Sequence, residues 1–132
     1  MPCKPQLVAT EQRSGGRIRS NRSATRAFGN GSEKADYYIK LHAKTWPGVL
    51  QRIKDSNIRN YSVALKEIEG KLFLFSYFEY IGNDFEGDMV KIAADPETQR
   101  WWRETDPCQI PLPDAKAQGK IWSDAVEVFH AS

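Results

Sequence analysis

The chain has 132 residues, 27% of them charged and 40% hydrophobic, and a net charge of +2. That length suits one compact domain able to bury a core without staples. No apolar run reaches the ~18–20 residues of a membrane span, and the N-terminus has no apolar stretch of a secretory signal, so a cytoplasmic protein with no membrane partner is expected. Cys3 and Cys108 stand far apart, with no CxxC and no nearby histidine, which argues against a zinc site and a disulfide framework.

The charge is unevenly spread. Residues 1–31 carry six Lys/Arg against Glu11 alone, whereas the remainder holds 13 basic and 16 acidic residues. Residues 1–31, whose basic excess lies in RSGGRIRSNRSATRAFGNG, read as a flexible basic arm, with the folded domain at 32–132. Phe28 is its only aromatic residue, so it lacks the stacking platforms of a nucleic-acid arm, and no nucleic-acid partner is expected. A transit peptide shares its composition.

From Ser32 onward the elements follow in order. Ser32 can cap a helix through KADYYIKLHAKTW toward Asp55, kinked or restarted at Pro47. NYSVALKEI alternates as a strand with Tyr61, Val63 and Leu65 on one face; Glu69-Gly70 makes a tight turn, and KLFLFSYFEYI returns as a second strand. Asp84 caps a helix through DFEGDMVKIAAD with Phe85, Met89, Ile92 and Ala93 inward, and Asp95-Pro96 opens a further helix over ETQRWWRET. A proline-rich loop precedes AVEVFHA, which reads as a short final strand pointing Val126, Val128 and His130 one way. One strand before the first helix would complete a βαββαβ pattern, an antiparallel sheet with helices on one face. Its best candidate, Arg17 to Phe28, is polar and Arg-rich for a core strand.

Two features carry chemistry. On a 100° wheel, Tyr38, Val49, His42, Ile53, Trp46, Ile39 and Leu50 share one arc, which puts a histidine near the centre of an apolar face. Tyr38 and Trp46 flank His42 at four-residue spacing, so a phenol, an imidazole and an indole meet there. A core histidine satisfied by a carbonyl or tyrosine hydroxyl is the plain reading, and a proton carrier near neutral pH is the functional one. Trp101 and Trp102 lie 100° apart on their helix, so one ring can fill the core while the other lines a cavity, or both can be packing.

The motifs YxxxHxxxWP (Tyr38 to Pro47), NYS (60–62), FEY (78–80), QRWW (99–102) and EVFH (127–130) together resemble the L-rhamnose mutarotase family in order and spacing, over about seven tenths of the chain. The resemblance implies an α+β, ferredoxin-like fold that dimerises through its sheets into an αβ barrel. It also implies interconversion of the anomers of L-rhamnose or a related deoxy-aldose, with a monosaccharide partner and no metal or organic cofactor. His42 matches the family's acid/base histidine; Tyr38, Tyr61, Trp101 and Trp102 match its sugar-contacting positions. Neither His130 nor Glu79 is singled out as a second proton carrier, and Asp106 reads as a turn cap. The chain departs from the family pattern at its N-terminus, where the Arg/Ser-rich segment replaces an apolar opening strand. Rival expectations are a non-catalytic sugar-binding module and an oxygenase on the same kind of barrel.

Overall fold

A computed structural model describes residues 19–27 and 33–131 of the chain. Strand β1 (Arg19–Ala27) leads to helices α1 (Glu33–Ala43) and α2 (Pro47–Asp55). Strands β2 (Ile58–Ile68) and β3 (Lys71–Tyr80) form a hairpin, and helices α3 (Phe85–Ala94) and α4 (Pro96–Thr105) follow. A 3-10 turn (Asp106–Cys108), β4 (Gln109–Ile110), α5 (Pro113–Ala117) and β5 (Ser123–Asp124) complete the described chain. The strands run β2-β3-β1-β4, with β5 also on β1, and every pairing is antiparallel. Read from the other edge this is the 4-1-3-2 order of a βαββαβ ferredoxin-like fold.

Local chemistry explains the element boundaries. Glu69 and Gly70 both adopt positive φ, as a two-residue hairpin turn between twisted strands demands. Asp84 accepts the Gly87 N–H at the start of α3, and Asp95 accepts from the Thr98 N–H and hydroxyl at the start of α4, where Pro96 occupies the first helical position. Pro47 restarts the helix: α1 ends at Ala43, Trp46 stands at the cap of α2, and the Val49 and Leu50 N–H groups bond its carbonyl. The expected Ser32 cap lies outside the described residues.

Two expectations are corrected. Residues 19–27, expected within a flexible basic arm, form the central strand β1, registered along β3 from Arg19↔Tyr80 to Arg26↔Phe73. Two of its three arginines are accommodated by aromatic partners: the Arg19 guanidinium lies 4.7 Å from the Phe85 ring centroid and that of Arg22 4.8 Å from Tyr77. The rest of the arm, residues 1–18 and 28–31, lies outside the described residues. The second correction concerns AVEVFHA, which is not a strand. The ladder on β1 ends where the Ala125 N–H bonds the Arg22 carbonyl. Beyond it Val126 and Val128 are 79% and 94% exposed, so the alternation finds neither a strand edge nor a covering layer among the described residues.

The inner face of the sheet forms rows across β2, β3 and β1. Ile58, Tyr80 and Arg19 make one row, and Leu65, Leu74 and Thr25 another; Val63, Ser76 and Ser23 lie between. A bulge between Arg59 and Ser62 turns Tyr61 onto this face, where it stacks on Phe78 at 5.5 Å. Two apolar clusters hold the helices down. Ile58, Phe78, Tyr80, Phe85 and Ile92 form one; Ala27, Tyr38, Leu74 and Cys108 form the other. In the first, the Tyr80 hydroxyl donates to the buried Asp88 carboxylate and accepts the Asp84 N–H, while Asn57 donates to the same carboxylate oxygen at 3.0 Å.

Candidate active site

Between the two clusters the sheet and helices enclose a cavity of about 590 Å3. Its walls combine apolar residues from both clusters with hydroxyl, amide and imidazole groups, the mixture that suits a polar small molecule with an apolar side. Tyr38, His42, Tyr61, Trp101 and Trp102 all line it, so the five candidate positions, distant in sequence, converge on one space.

His42 lies in the last turn of α1, half-buried, with its ring stacked on Tyr38 (centroids 4.1 Å apart, planes at 27°) and edge-on to Trp101 at 5.1 Å. Its Nδ1 is 2.8 Å from the Tyr38 carbonyl oxygen. A carbonyl can only accept, so Nδ1 carries the proton and Nε2 of the neutral ring keeps its lone pair. Burial lowers the imidazole pKa from its ordinary 6.5, against the opposing pull of that same carbonyl, so the neutral ring prevails at neutral pH. The group is thus a base with its basic nitrogen identified.

Tyr38 is buried, and burial together with the neighbouring Tyr61 phenol raises its pKa far above the ordinary phenol value, with the Gln109 side chain opposing. It therefore stays protonated and serves as a hydrogen-bonding group. Trp101 is 6% exposed and wedged between His42 and Trp46, whose ring meets it edge-on at 5.1 Å. Trp102, one residue on, is half-buried against the Ile58–Phe78 cluster. The 100° offset does separate the two indoles between neighbours, yet both reach the cavity. Tyr61, 47% exposed, and Leu50 and Ile39 from the helices stand on its more open side.

Other residues flagged in the sequence go elsewhere. Glu79 points to the opposite face of the sheet, bonded by Asn60 and the Tyr77 hydroxyl at 2.6 Å each. His130 is exposed on the C-terminal segment, 3.8 Å from Glu127. Asp106 opens the 3-10 turn and also lines the cavity. Ser23, Ser76, Gln109 and Trp122 line the cavity without having been anticipated. Ser76 had a visible signal, a lone serine within the aromatic and aliphatic run LFLFSYF; Trp122 and Gln109 had none, because their placement depends on loop geometry. Among the described residues no group of three His, Cys, Asp or Glu side chains is placed to hold a metal ion.

Sheet, helices and half-buried imidazole together define a ferredoxin-like α+β protein with an aromatic-walled cavity lined by a neutral imidazole. The chain belongs to the L-rhamnose mutarotase family, whose family model matches residues 30–131. It is similar to an L-rhamnose mutarotase of Oceanobacillus iheyensis, at 30% identity over 98 residues that cover 74% of this chain and 86% of that protein. An L-rhamnose mutarotase of Opitutus terrae is 30% identical over 93 residues, 70% of this chain and 82% of the other. A crystal structure of an L-rhamnose mutarotase from Formosa agariphila shares the fold, with a TM-score of 0.58 at 21% identity over 86% of this chain and 98% of that one.

Proposed function

We propose that this chain interconverts the α and β anomers of L-rhamnose or a related deoxy-aldose, with His42 as the proton carrier and Tyr38, Tyr61, Trp101 and Trp102 as sugar contacts. The observation that carries the reading is the commitment of His42 Nδ1 to the Tyr38 carbonyl within an aromatic cavity, which leaves Nε2 as the nitrogen available to a ligand.

The chemistry balances with that one group. Nε2 takes the proton of the C1 hydroxyl; the O1–H electrons become the second C1–O1 bond, and the C1–O5 pair leaves with the ring oxygen, which receives a proton. The open-chain aldehyde rotates about C1–C2, and the same steps in reverse close the opposite anomer. Both reacting oxygens are bonded to C1, so an imidazole beside that edge of the sugar can accept at one and return the proton at the other. Such a positioned group typically contributes about 10²- to 10⁴-fold. Tyr38 supplies a hydrogen bond rather than a proton, since its raised pKa keeps the phenol neutral. Indole faces suit the C–H faces of the sugar ring, and the apolar wall suits the methyl group of a deoxy-sugar.

The active species on this reading is a cytoplasmic homodimer joined through the outer face of the sheet. Phe75 is 41% exposed there, beside the half-buried Phe73 and Tyr77, and apolar surface of that kind favours a partner. The test of function is exchange spectroscopy on equilibrated L-rhamnose, in which magnetisation passes between the two anomeric protons at the rate of interconversion. Faster exchange with protein supports the reading. Binding without faster exchange would make the chain a sugar-binding module.

A further inference from the structure

Beyond the aromatic wall, the floor of the cavity carries information of its own. In the inner-face rows of the sheet, Ser76 of β3 stands directly opposite Ser23 of β1 and Val63 of β2. The row on one side holds Phe78 and the row on the other holds Leu74, the sheet members of the two apolar clusters. The break between the clusters therefore coincides with the place where two serines replace the large side chains expected on the covered face of a central strand. Small side chains there make the hollow, and their hydroxyls give it a polar floor.

Thr25, on the same face and two residues along β1, shows what a structural hydroxyl does: it is fully buried, and its Oγ1 bonds the Ile110 and Ile121 carbonyls at 3.1 and 2.9 Å. Ser76 is only 7% exposed, and neither it nor Ser23 makes a side-chain hydrogen bond among the described residues, yet both line the cavity. Ser23 is half-buried, and both hydroxyls meet the cavity, where a ligand can supply the bond that the protein does not. Side chains directly opposite on antiparallel strands have Cβ atoms about 5 Å apart, close enough for two hydroxyls to engage neighbouring substituents of one ring. Gln109 adds to the lining a buried amide oxygen with no partner among the described residues.

We infer that Ser76 and Ser23 form a hydroxyl-reading floor that hydrogen-bonds ring hydroxyls of the bound sugar and sets which hydroxylation pattern the site accepts. The inference deepens the mutarotase reading and rests on it for the identity of the ligand. Each serine donates to or accepts from a ring hydroxyl while the aromatic groups of α1 and α4 engage the sugar from the helical side. A sugar lacking the hydroxyl that a given serine reads leaves that serine as it is in the empty cavity.

The test is binding of L-rhamnose and its 2-, 3- and 4-deoxy analogues, followed by tryptophan fluorescence, to the wild-type protein and to Ser76→Ala and Ser23→Ala, with anomer exchange measured in parallel. Melting curves confirm that each variant is folded. Ser76→Ala is expected to weaken L-rhamnose binding about tenfold, the loss of one hydrogen bond to a buried partner. One deoxy analogue should bind wild type and Ser76→Ala alike, while the others keep the difference. Wild-type affinity for L-rhamnose in both folded variants overturns the inference, and so does an equal loss for every analogue, which marks a change of shape. If the wild-type protein neither binds L-rhamnose nor speeds its exchange, the parent reading falls and this one falls with it. If it does both while the serine substitutions are silent, only this inference falls.

Discussion

Replacing His42 by alanine separates chemistry from architecture, because the two effects differ in size. The ring is half-buried, lies flat on Tyr38 and meets the edge of Trp101, so truncation removes part of an aromatic packing contribution. Complete burial of an aromatic side chain is worth about 3–5 kcal/mol on truncation, so this substitution should cost about 1–2 kcal/mol and lower the melting temperature by about 3–8 °C. A domain with an ordinary reserve of about 5–15 kcal/mol stays folded at 25 °C after such a loss. On the proposed role of the imidazole as proton carrier, its removal should instead slow catalysis by about 10²- to 10⁴-fold, or about 2.7–5.4 kcal/mol in the barrier. Magnetisation transfer between the anomeric protons measures this without a coupled enzyme, provided the uncatalysed rate is subtracted. A folded His42→Ala protein whose catalysed exchange stays within about threefold of wild type would refute the role given to the imidazole.

Three further outcomes follow from the same geometry. Because burial lowers the His42 pKa below its ordinary 6.5, kcat/KM should be level through neutral pH and fall only on the acid side of an inflection under 6.5; an inflection above that value contradicts a desolvated base. Burial pushes the Asp88 carboxyl up, but hydrogen bonds from Tyr80 and Asn57 and the nearby Lys91 charge outweigh it and leave the pKa below 3.8. The stabilisation linked to that carboxylate is present above pH 3.8 and disappears as pH falls through the lowered folded value. Tyr80→Phe should therefore lower stability to urea at pH 7 by about 1–3 kcal/mol and shrink the acid-dependent part, and unchanged midpoints would discount the network. Phe75→Glu on the outer sheet face should convert a dimer to a monomer in sedimentation experiments, whereas a wild-type protein that sediments as a monomer removes that interface from consideration.

How much of this could be read from residue order depends on which force fixed each part. Caps at Asp84 and Asp95 and the Glu69-Gly70 turn were legible because each is decided within four residues. The convergence of Tyr38, His42, Trp101 and Trp102 was legible through helical spacing and the resemblance of five motifs. Strand β1 falls inside the candidate at Arg17 to Phe28 but lacks apolar alternation, because its inner residues include cavity-lining Ser23 and its Arg19 and Arg22 lie on aromatic rings. The segment from Ala125 to Ala131 failed in the opposite sense: its alternation is real, but a strand also needs an edge to join, and residue order does not supply one. Gln109 and Trp122 were out of reach because proline-rich loops deliver them to the cavity.

The bond from His42 to the Tyr38 carbonyl has a consequence for how the chain tolerates change. In many enzymes an aspartate or asparagine steers the catalytic imidazole, and one codon change can unseat it. Here the steering atom belongs to the peptide backbone, four residues earlier in α1, and survives any replacement of the Tyr38 side chain that preserves the helix. Drift at position 38 can therefore reshape the cavity wall while leaving unchanged which imidazole nitrogen carries the proton.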